Sequence, residues 1–239
     1  MTALIRGEII KTTTTRTILA YAAMAVVLAV TQVLVTILAT SSDLTALADK
    51  KEAIAGLPVL LLLFGIVGAA GEHRHRTVAP AVLVTGRDGG FMLRARAGAY
   101  AIAGVTVAAL ATVITLAVGV PLLAGESGTA LAAADIALVA GGSLLAAALS
   151  AILGVALGAL VRNQVTAVTG TLVVVFVALP LLDALSPTAL DLTPVGAAQG
   201  VAGSTLATLS WSGAGLVLVG WTLLALIAAV LAERRRDIA

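Results

Sequence analysis

The amino-acid sequence predicts an all-α membrane protein with six transmembrane helices, and three observations support this prediction. Apolar residues make up 60% of the 239 positions and charged residues only 11%, with a mean hydropathy of +1.13. A soluble domain of this length could not bury so much apolar surface. The apolar residues form six runs, each near the roughly 20 residues that a helix needs to cross a bilayer. The segments between the runs alternate between basic and acidic character.

The predicted elements follow one another in a single domain that covers residues 1–239. Residues 1–16 carry charged side chains among leucine and isoleucine residues, which predicts an amphipathic helix at the inner membrane interface. The threonine run at 12–15 is poor helix material and is expected to mark the bend into the membrane. The six predicted spans are residues 17–38, 54–70, 97–123, 136–161, 165–182 and 213–231.

The distribution of charge predicts that both termini lie on the cytoplasmic side. Lys and Arg residues in short loops are retained there. Twelve of the fourteen Lys and Arg residues lie in the N-terminal segment, the second loop, the fourth loop and the C-terminal segment. The other three loops contain only Lys50 and Lys51, together with seven of the twelve acidic residues. Six spans with both ends inside satisfy this alternation without exception.

The segment 183–210, before the last span, is the main irregularity in the pattern. It is apolar but interrupted by Pro187, Pro194 and several glycines. Backbone that enters the hydrocarbon needs hydrogen-bond partners, so any part of the segment in the membrane must be shielded by other spans. We expect short helices on the outer face that partly re-enter the bilayer; an ordinary extracellular loop is the alternative.

A basic segment between the second and third predicted spans is the strongest candidate for a functional element. Residues 72–96 contain five of the fourteen Lys and Arg residues and both histidines. Thr77 can cap a helix, Pro80 suits its first turn, and Gly86 can close it in the left-handed conformation. These signals predict a helix over 78–85 with Val78, Val82 and Leu83 on its apolar side. Such a short helix is not stable alone in water. It is interpreted as a docking element for a soluble partner, or else as a loop that only connects two spans.

The sequence contains none of the common patterns of an enzyme, metal protein or nucleic-acid-binding protein. There is no cysteine, no P-loop, no nucleophile elbow and no His-Glu-x-x-His pair. His73 and His75 are two residues apart, so a helix would direct them away from each other rather than toward one metal ion. The basic residues are explained by topology and are not interleaved with aromatic residues, so no nucleic-acid partner is expected.

Three further residues are singled out for structural roles. Glu72 ends the second apolar run and precedes basic residues. It is expected to form an ion pair with Arg6 or Lys11 of the N-terminal helix, with a solvated acid at the helix end as the alternative. Gly154 and Gly158 form a Gly-x-x-x-Gly pair in the fourth predicted span, and this spacing permits close helix packing.

Two segments resemble the small membrane subunits of type-2 ABC exporters, the ABCG-like class. They are EIIKTTTTRT before the first span and EHRHRTVAPAVLVTGRDGGFMLRARA after the second. The chain departs from the family pattern at Arg76, where glycine is common, and at Gly86, where proline is common. The six-span layout and the broken outer segment also match, so the resemblance covers the whole chain. The matching residues in the second segment are Glu72, Arg74, Thr77, Leu83, Arg87 and Arg96.

The resemblance implies that the chain is a permease subunit that binds no cofactor and has no enzymatic activity of its own. Residues 1–16 would form an elbow helix on the inner leaflet, and helix 78–85 would be the coupling helix in a groove of a separate ATP-binding subunit, which would hold ATP and Mg. A second permease chain, identical or different, would complete the working unit in the lipid of a bacterial plasma membrane. The coupling residues would be Thr77, Val78, Val82, Leu83, Thr85 and Arg87.

The family also implies a translocation cavity between the two permease chains, roughly along spans two and five. Its lining would be mostly Val, Leu, Ala and Thr, which suits an amphipathic or apolar cargo. A self-sufficient secondary transporter or channel is the main alternative, but it needs ionisable residues near the middle of spans, and the sequence offers none in a clear central position. An intramembrane enzyme would need a nucleophile, a metal set or an acid pair. A membrane anchor for a soluble partner would use the same helix over 78–85.

Overall fold

The computed structural model of the chain describes residues 2–14, 16–40, 44–74, 86, 88–204 and 208–236. Within these ranges the regular secondary structure is helical, and no strand is present. Six helical segments are long and apolar enough to cross a membrane. The predicted all-α class with six candidate spans is therefore confirmed.

The described residues form eleven α-helices and one π-helical turn. The helices are α1 (Thr2–Thr14), α2 (Arg16–Thr40), α3 (Leu47–Ala53), α4 (Pro58–Arg74), α5 (Gly89–Ala124), α6 (Ala133–Val161), α7 (Gln164–Val173), α8 (Leu179–Leu185), α9 (Pro187–Asp191), α10 (Pro194–Ala202) and α11 (Trp211–Arg236). The second candidate span, Leu47–Glu72, comprises α3 and most of α4. The π-helical turn, Val174–Ala178, joins α7 and α8 into one candidate span, Gln164–Leu185.

Helices α4 and α6 form the centre of the bundle. In the most apolar 18-residue stretches of the two candidate spans that contain them, 67% and 56% of the residues are buried. In the α7–α8 span only 6% are buried. Glycines bring the two backbones together: a Cβ on Gly154 would overlap the carbonyl oxygen of Leu62, and one on Gly158 would lie 2.7 Å from that of Ile66. The Gly-x-x-x-Gly pair thus permits the close packing that the sequence indicates.

The remaining spans pack around this centre to different extents. Helix α2 lies mainly against α5, α11 lies against α6 and α10, and α7 contacts mainly α4. On α2 the buried positions recur every four or seven residues at Ile18, Ala25, Ala29 and Val33, so one stripe faces the protein. The other face of α2 presents exposed leucine and valine residues, as expected for a helix that contacts lipid.

Two of the helices begin several residues away from the start of the predicted apolar run. Helix α4 begins at Pro58 rather than 54, because proline suits the first helical position and the backbone from 55 to 57 is not helical. The amide of Gly56 in this break donates to Ser143 Oγ on α6 at 2.9 Å. Helix α5 begins at Gly89 rather than 97, because the Asp88 carboxylate caps it by accepting from Phe91 N at 2.5 Å. The positions of Arg94 and Arg96 are therefore helical.

The irregular segment before the last span contains two short helices, α9 and α10. Each starts with a hydroxyl cap and a proline: Ser186 Oγ accepts from Ala189 N, and Thr193 Oγ1 accepts from Gly196 N. The predicted short helices are present, and their re-entry into the bilayer remains a prediction. Buried Asp191 ends α9 and accepts hydrogen bonds from Thr208 N and Oγ1, both at 2.5 Å.

Both tryptophans tie α11 to this short-helix segment. Trp211 Nε1 donates to the carbonyl of Val201 at 3.0 Å, and Trp221 Nε1 donates to that of Leu192 at 2.9 Å. The indole rings thus satisfy backbone carbonyls at the ends of α10 and α9, which helix geometry leaves without intrahelical partners.

The π-helical turn in the fifth span ends two residues before Pro180. Proline has no N–H and its ring crowds the carbonyl four residues earlier, which here belongs to Phe176. A π-helical turn relaxes the hydrogen-bond ladder at this point without ending the helix. The candidate span Gln164–Leu185 is therefore continuous but locally irregular.

Candidate functional site at the basic end of the bundle

Glu72 near the end of α4 connects three helices at the basic end of the bundle, the end where α1 and the last turns of α11 lie. Lys11 Nζ of α1 lies 2.6 Å from Glu72 Oε1. Arg96 Nη2 of α5 donates to Glu72 Oε2. The Glu72 side chain is 11% exposed and that of Arg96 is 4% exposed, whereas that of Lys11 is 48% exposed. The Glu72–Arg96 ion pair is thus shielded from solvent, and Lys11 contacts Glu72 from the solvent-exposed side. We call these three residues the Glu72 junction.

Helix lengths explain how a buried arginine is accommodated. Helix α5 has 36 residues and at about 1.5 Å per residue spans roughly 54 Å, well beyond a hydrocarbon core of about 30 Å. It is therefore long enough for its first turns, with Arg94 and Arg96, to extend past the apolar layer. Helix α1 packs against α5 and continues to Thr14, so the first three threonines of the run are helical. There Thr12 Oγ1 donates to the carbonyl of Glu8 at 2.6 Å, so its hydroxyl is satisfied within the helix.

A second ion pair at the basic end joins the α6–α7 turn to α11. Arg162 Nη2 lies 2.7 Å from Glu233 Oε2, and the Glu233 side chain is 7% exposed. Arg162 has a φ of 58° and ends α6 in the left-handed conformation. Asn163 follows and caps α7 by accepting from Val165 N and Thr166 N. This two-residue connection is compact enough to hold the Arg162 side chain against α11.

The structure brings together only some of the residues that the sequence singles out. Lys11 reaches Glu72, whereas Arg6 is exposed and makes no ion pair with any other described residue. Arg96 is the partner that sequence reasoning missed, because it was assigned to a loop. Gly86 has a φ of +62°, the left-handed conformation expected for it. All six predicted coupling residues lie outside the described part of the chain: Thr77, Val78, Val82, Leu83, Thr85 and Arg87.

The Glu72 junction joins the end of α4 to the start of α5, the two helices that flank residues 75–85 in the sequence. Glu72 is two residues before the end of α4, and Arg96 lies in the second turn of α5. The ion pairs therefore connect both spans that flank the segment, and add α1 through Lys11. A displacement of the segment would reach three helices through one carboxylate.

At the opposite end of the bundle, α3 is fixed by two lysines. Lys51 Nζ lies 2.7 Å from Asp135 Oδ1 at the start of α6. Lys50 is 1% exposed, and its Nζ donates to the carbonyl of Glu126 at 3.2 Å. Both basic side chains of α3 are thus directed toward the α5–α6 connection, whereas Gln32 of α2 donates to the carbonyl of Glu52 at 3.1 Å.

A groove of about 400 Å³ lies between α2, α4, the π-helical turn and α10. This volume falls within the roughly 300–1,000 Å³ typical of small-molecule sites. A separate and more apolar cavity of about 270 Å³ lies between α4, α6 and α7. The lining of the first, which we call the α2–α4 groove, is Met24, Leu28, Gln32, Glu52, Ala55, Gly56, Leu57, Pro58, Val59, Leu60, Leu63, Leu172, Phe176, Gln199 and Ser204.

The fold and these features define a multi-pass α-helical membrane protein with a polar junction at one end and a groove in its side. A comparison of the chain with protein-family models finds no match, and a comparison with curated proteins finds none either. No group of three or more His, Cys, Asp or Glu side chains suited to a metal ion occurs among the described residues.

Proposed function

We propose that this chain is the permease subunit of an ATP-driven ABC exporter. It forms the translocation pathway as a dimer with a second permease chain and is driven by a separate ATP-binding subunit. The segment over 78–85 docks on that subunit, with both termini in the cytoplasm of a bacterium and the spans in its plasma membrane. The resemblance of residues 8–17 and 72–97 to type-2 ABC exporters supports this proposal.

The Glu72 junction is the observation that carries the proposal. A subunit driven from outside the membrane needs a stiff connection between the docking segment and the spans that it moves. One shielded carboxylate here joins α1, α4 and α5 at the point where the docking segment leaves the bundle. Ion pairs removed from solvent hold their geometry better than exposed ones, which are weak and screened by salt. The junction therefore suits the transfer of a displacement from 78–85 to the spans.

The positions of the buried charges favour this function over an ion-coupled secondary transporter. Intramembrane ionisable residues in such transporters lie near the middle of the bilayer. Among the described residues, the buried charged side chains are Lys50, Arg96, Asp191 and Glu233. All four lie at or near helix ends, in ion pairs or hydrogen bonds that link elements of the bundle. None occupies the centre of a span, where a coupled ion would need to be released and rebound.

The proposal is tested by affinity purification of the tagged chain in mild detergent, followed by measurement of ATP hydrolysis. We expect a nucleotide-hydrolysing subunit to accompany the chain. Leu83→Asp should preserve membrane insertion but abolish the stimulation of that hydrolysis, because it places a charge on the apolar side of the docking helix. Leu192→Asp makes the same chemical change at an exposed position at the opposite end of the bundle and should leave stimulation unchanged.

Two results would contradict the proposal. Undiminished stimulation in the Leu83→Asp variant would remove the docking assignment. Solute transport by the purified chain alone in liposomes, driven by an ion gradient and without ATP, would establish a secondary transporter instead.

A further inference from the structure

We propose that the ends of α5 and α11, at the basic end of the bundle, bind the phosphate group of an anionic phospholipid. Arg94 of α5 and Arg234 of α11 donate hydrogen bonds to this group, and an acyl chain of the lipid lies along the exposed faces of the two helices. The site contains no residue of the Glu72 junction and does not require the chain to be an exporter subunit.

Gly90, in the first turn of α5, brings the two arginines together. A Cβ built on Gly90 would lie 3.3 Å from Nε of Arg234, so the cationic group of α11 lies against the backbone of α5. Arg94 Nε donates to the carbonyl of the same glycine at 3.3 Å. The two guanidinium groups are therefore neighbours, although they come from different helices. We call Arg94 and Arg234 the arginine pair.

The arginine pair has no counter-charge among the residues that the structure describes. Both side chains are exposed, and neither forms an ion pair with a described acid. The acids nearest to them in the sequence are engaged elsewhere: Asp88 caps α5 by accepting from Phe91 N, and Glu233 pairs with Arg162. Neighbouring like charges repel each other, and an anion that contacts both removes this repulsion. The charges therefore favour a bound anion.

The chemistry of the guanidinium group suits a phosphate. Arginine donates paired hydrogen bonds to phosphate oxygens from a planar group that stays charged. The bond to Gly90 uses one of the N–H groups of Arg94, and the ring centroid of Phe91 lies 5.8 Å from its guanidinium carbon. Arg94 is thus held in place while its other N–H groups remain available. Basic side chains at a membrane surface attract anionic lipids.

The surface toward the middle of the bilayer is open and apolar, which favours a lipid over a soluble anion. Gly98 lies one turn after Arg94 on α5; it is exposed, and a Cβ built there would have no atom within 4 Å. Leu231 lies about one turn before Arg234 on α11 and is 49% exposed, and Ile227 beyond it is 58% exposed. Gly98 and Leu231 are about 5 Å farther from the basic end than the arginines. A lipid whose phosphate contacts the arginine pair can therefore place the start of an acyl chain on this surface.

The test is native mass spectrometry of the purified chain in detergent, with no ATP-binding subunit present and with dioleoyl phosphatidylglycerol or dioleoyl phosphatidylcholine added. The two lipids have the same acyl chains and differ in net charge, so the comparison isolates the head group. We expect one phosphatidylglycerol molecule to bind in preference to phosphatidylcholine. Arg94→Gln and Arg234→Gln should each weaken its binding about tenfold, the effect of losing one charge-assisted hydrogen bond.

Two further variants locate the site. Arg235→Gln removes the same charge from the next exposed position of α11, which points about 100° away around the helix, and should change binding little. Gly98→Leu keeps both arginines but fills the open surface below Arg94 and should weaken phosphatidylglycerol binding. Thermal unfolding of each variant is measured in parallel, and only variants that unfold like the natural chain are compared. If Arg94→Gln does not fold, Arg234→Gln and Gly98→Leu carry the comparison.

Three results would overturn the proposal. Equal binding of the two lipids would show that the site does not select negative charge. An equal loss of binding in the Arg234→Gln and Arg235→Gln variants would show attraction to the whole basic end rather than to the arginine pair. Competition by glycerol 1-phosphate as strong as that by phosphatidylglycerol itself would identify a site for a soluble anion instead of a lipid.

The two proposals fail separately. If Leu83→Asp abolishes stimulated ATP hydrolysis but phosphatidylglycerol binds no better than phosphatidylcholine, the exporter stands and the lipid site is wrong. If phosphatidylglycerol binds as expected but no ATP-hydrolysing subunit accompanies the chain, the lipid site belongs to a membrane protein of another class.

Discussion

Gly154 of α6 lies directly against the carbonyl oxygen of Leu62 of α4, with no room between them for a side chain. This contact, repeated one turn later between Gly158 and Ile66, fixes the separation of the two most buried spans. Small residues at such interfaces let helices approach until van der Waals and weak Cα–H···O contacts form. The α4–α6 pair is therefore the rigid axis around which the other spans are placed.

Gly154→Leu should destabilise the bundle severely, because the new side chain must displace the backbone of α4. Overpacking of a tight core costs about 1–3 kcal/mol or more, so we expect a clear drop in the thermal unfolding temperature measured in detergent. Gly141→Leu is the matched control on the same helix, since no atom lies within 4 Å of a Cβ built there. Equal unfolding temperatures for the two variants would show that the helices are not in backbone contact.

Glu72→Gln should destabilise the protein mainly because the buried Arg96 guanidinium loses its carboxylate partner. The loss of the exposed pair with Lys11 should matter much less. Removing one member of a buried ion pair costs about 3–5 kcal/mol, because the remaining charge stays out of water. Lys11→Met should cost at most about 1 kcal/mol, as for exposed pairs, because half of its side chain is solvated. Denaturant unfolding of the single and double variants gives the coupling energies. A larger loss for Lys11→Met than for Arg96→Met would contradict the described geometry.

Asp191→Ala should loosen the connection that leads from the short helices into α11. The buried carboxylate accepts hydrogen bonds from Thr208 N, Thr208 Oγ1 and Leu209 N, and a hydrogen bond to a charged group contributes about 1.5–3 kcal/mol. Limited proteolysis should therefore cut near 205–210 faster in this variant. The control is Asp183→Ala, which removes an exposed carboxylate at the end of α8. Identical cleavage rates would mean that Asp191 does not order this connection.

The predicted orientation can be tested directly because the sequence contains no cysteine. Single-cysteine variants can be labelled in intact cells with a membrane-impermeant maleimide. Ala48→Cys, at an exposed position in α3, should react from outside, and Thr85→Cys should react only after the cells are opened. The reverse pattern would place the basic end outside the cell and remove the basis for docking on a cytoplasmic subunit.

The span count followed from the sequence because hydropathy and charge act over whole segments. The helix starts were harder to predict, since they depend on single residues. The Asp88 cap starts α5 eight residues before the apolar run at 97, and placing the start later left Arg96 in a loop. The sequence did carry this signal, an aspartate followed by two glycines and Phe91. The basic residues after it, however, were interpreted only as marking the cytoplasmic side of the membrane.

Other features depend on contacts between distant segments and could not be predicted from one sequence. The chain has twenty-four glycines, and only the position of α4 shows that Gly154 and Gly158 face a partner. The break before Pro58 is bridged by Ser143, eighty-seven residues from Gly56. Gln32 and Gln199, far apart in the sequence, both line the groove only because the bundle has formed. These sites need tertiary structure, whereas Glu72 could be paired with Lys11 by charge and helix position.

The π-helical turn before Pro180 gives the two sides of the groove different stiffness. One side belongs to the glycine-packed axis, and the other is a span that is 6% buried and locally irregular. A thinner or thicker bilayer changes the tilt of its helices at a small cost per ångström, and the least restrained helix responds first. We therefore expect the opening beside Phe176 to widen or narrow with lipid chain length, while the α4–α6 crossing angle stays constant.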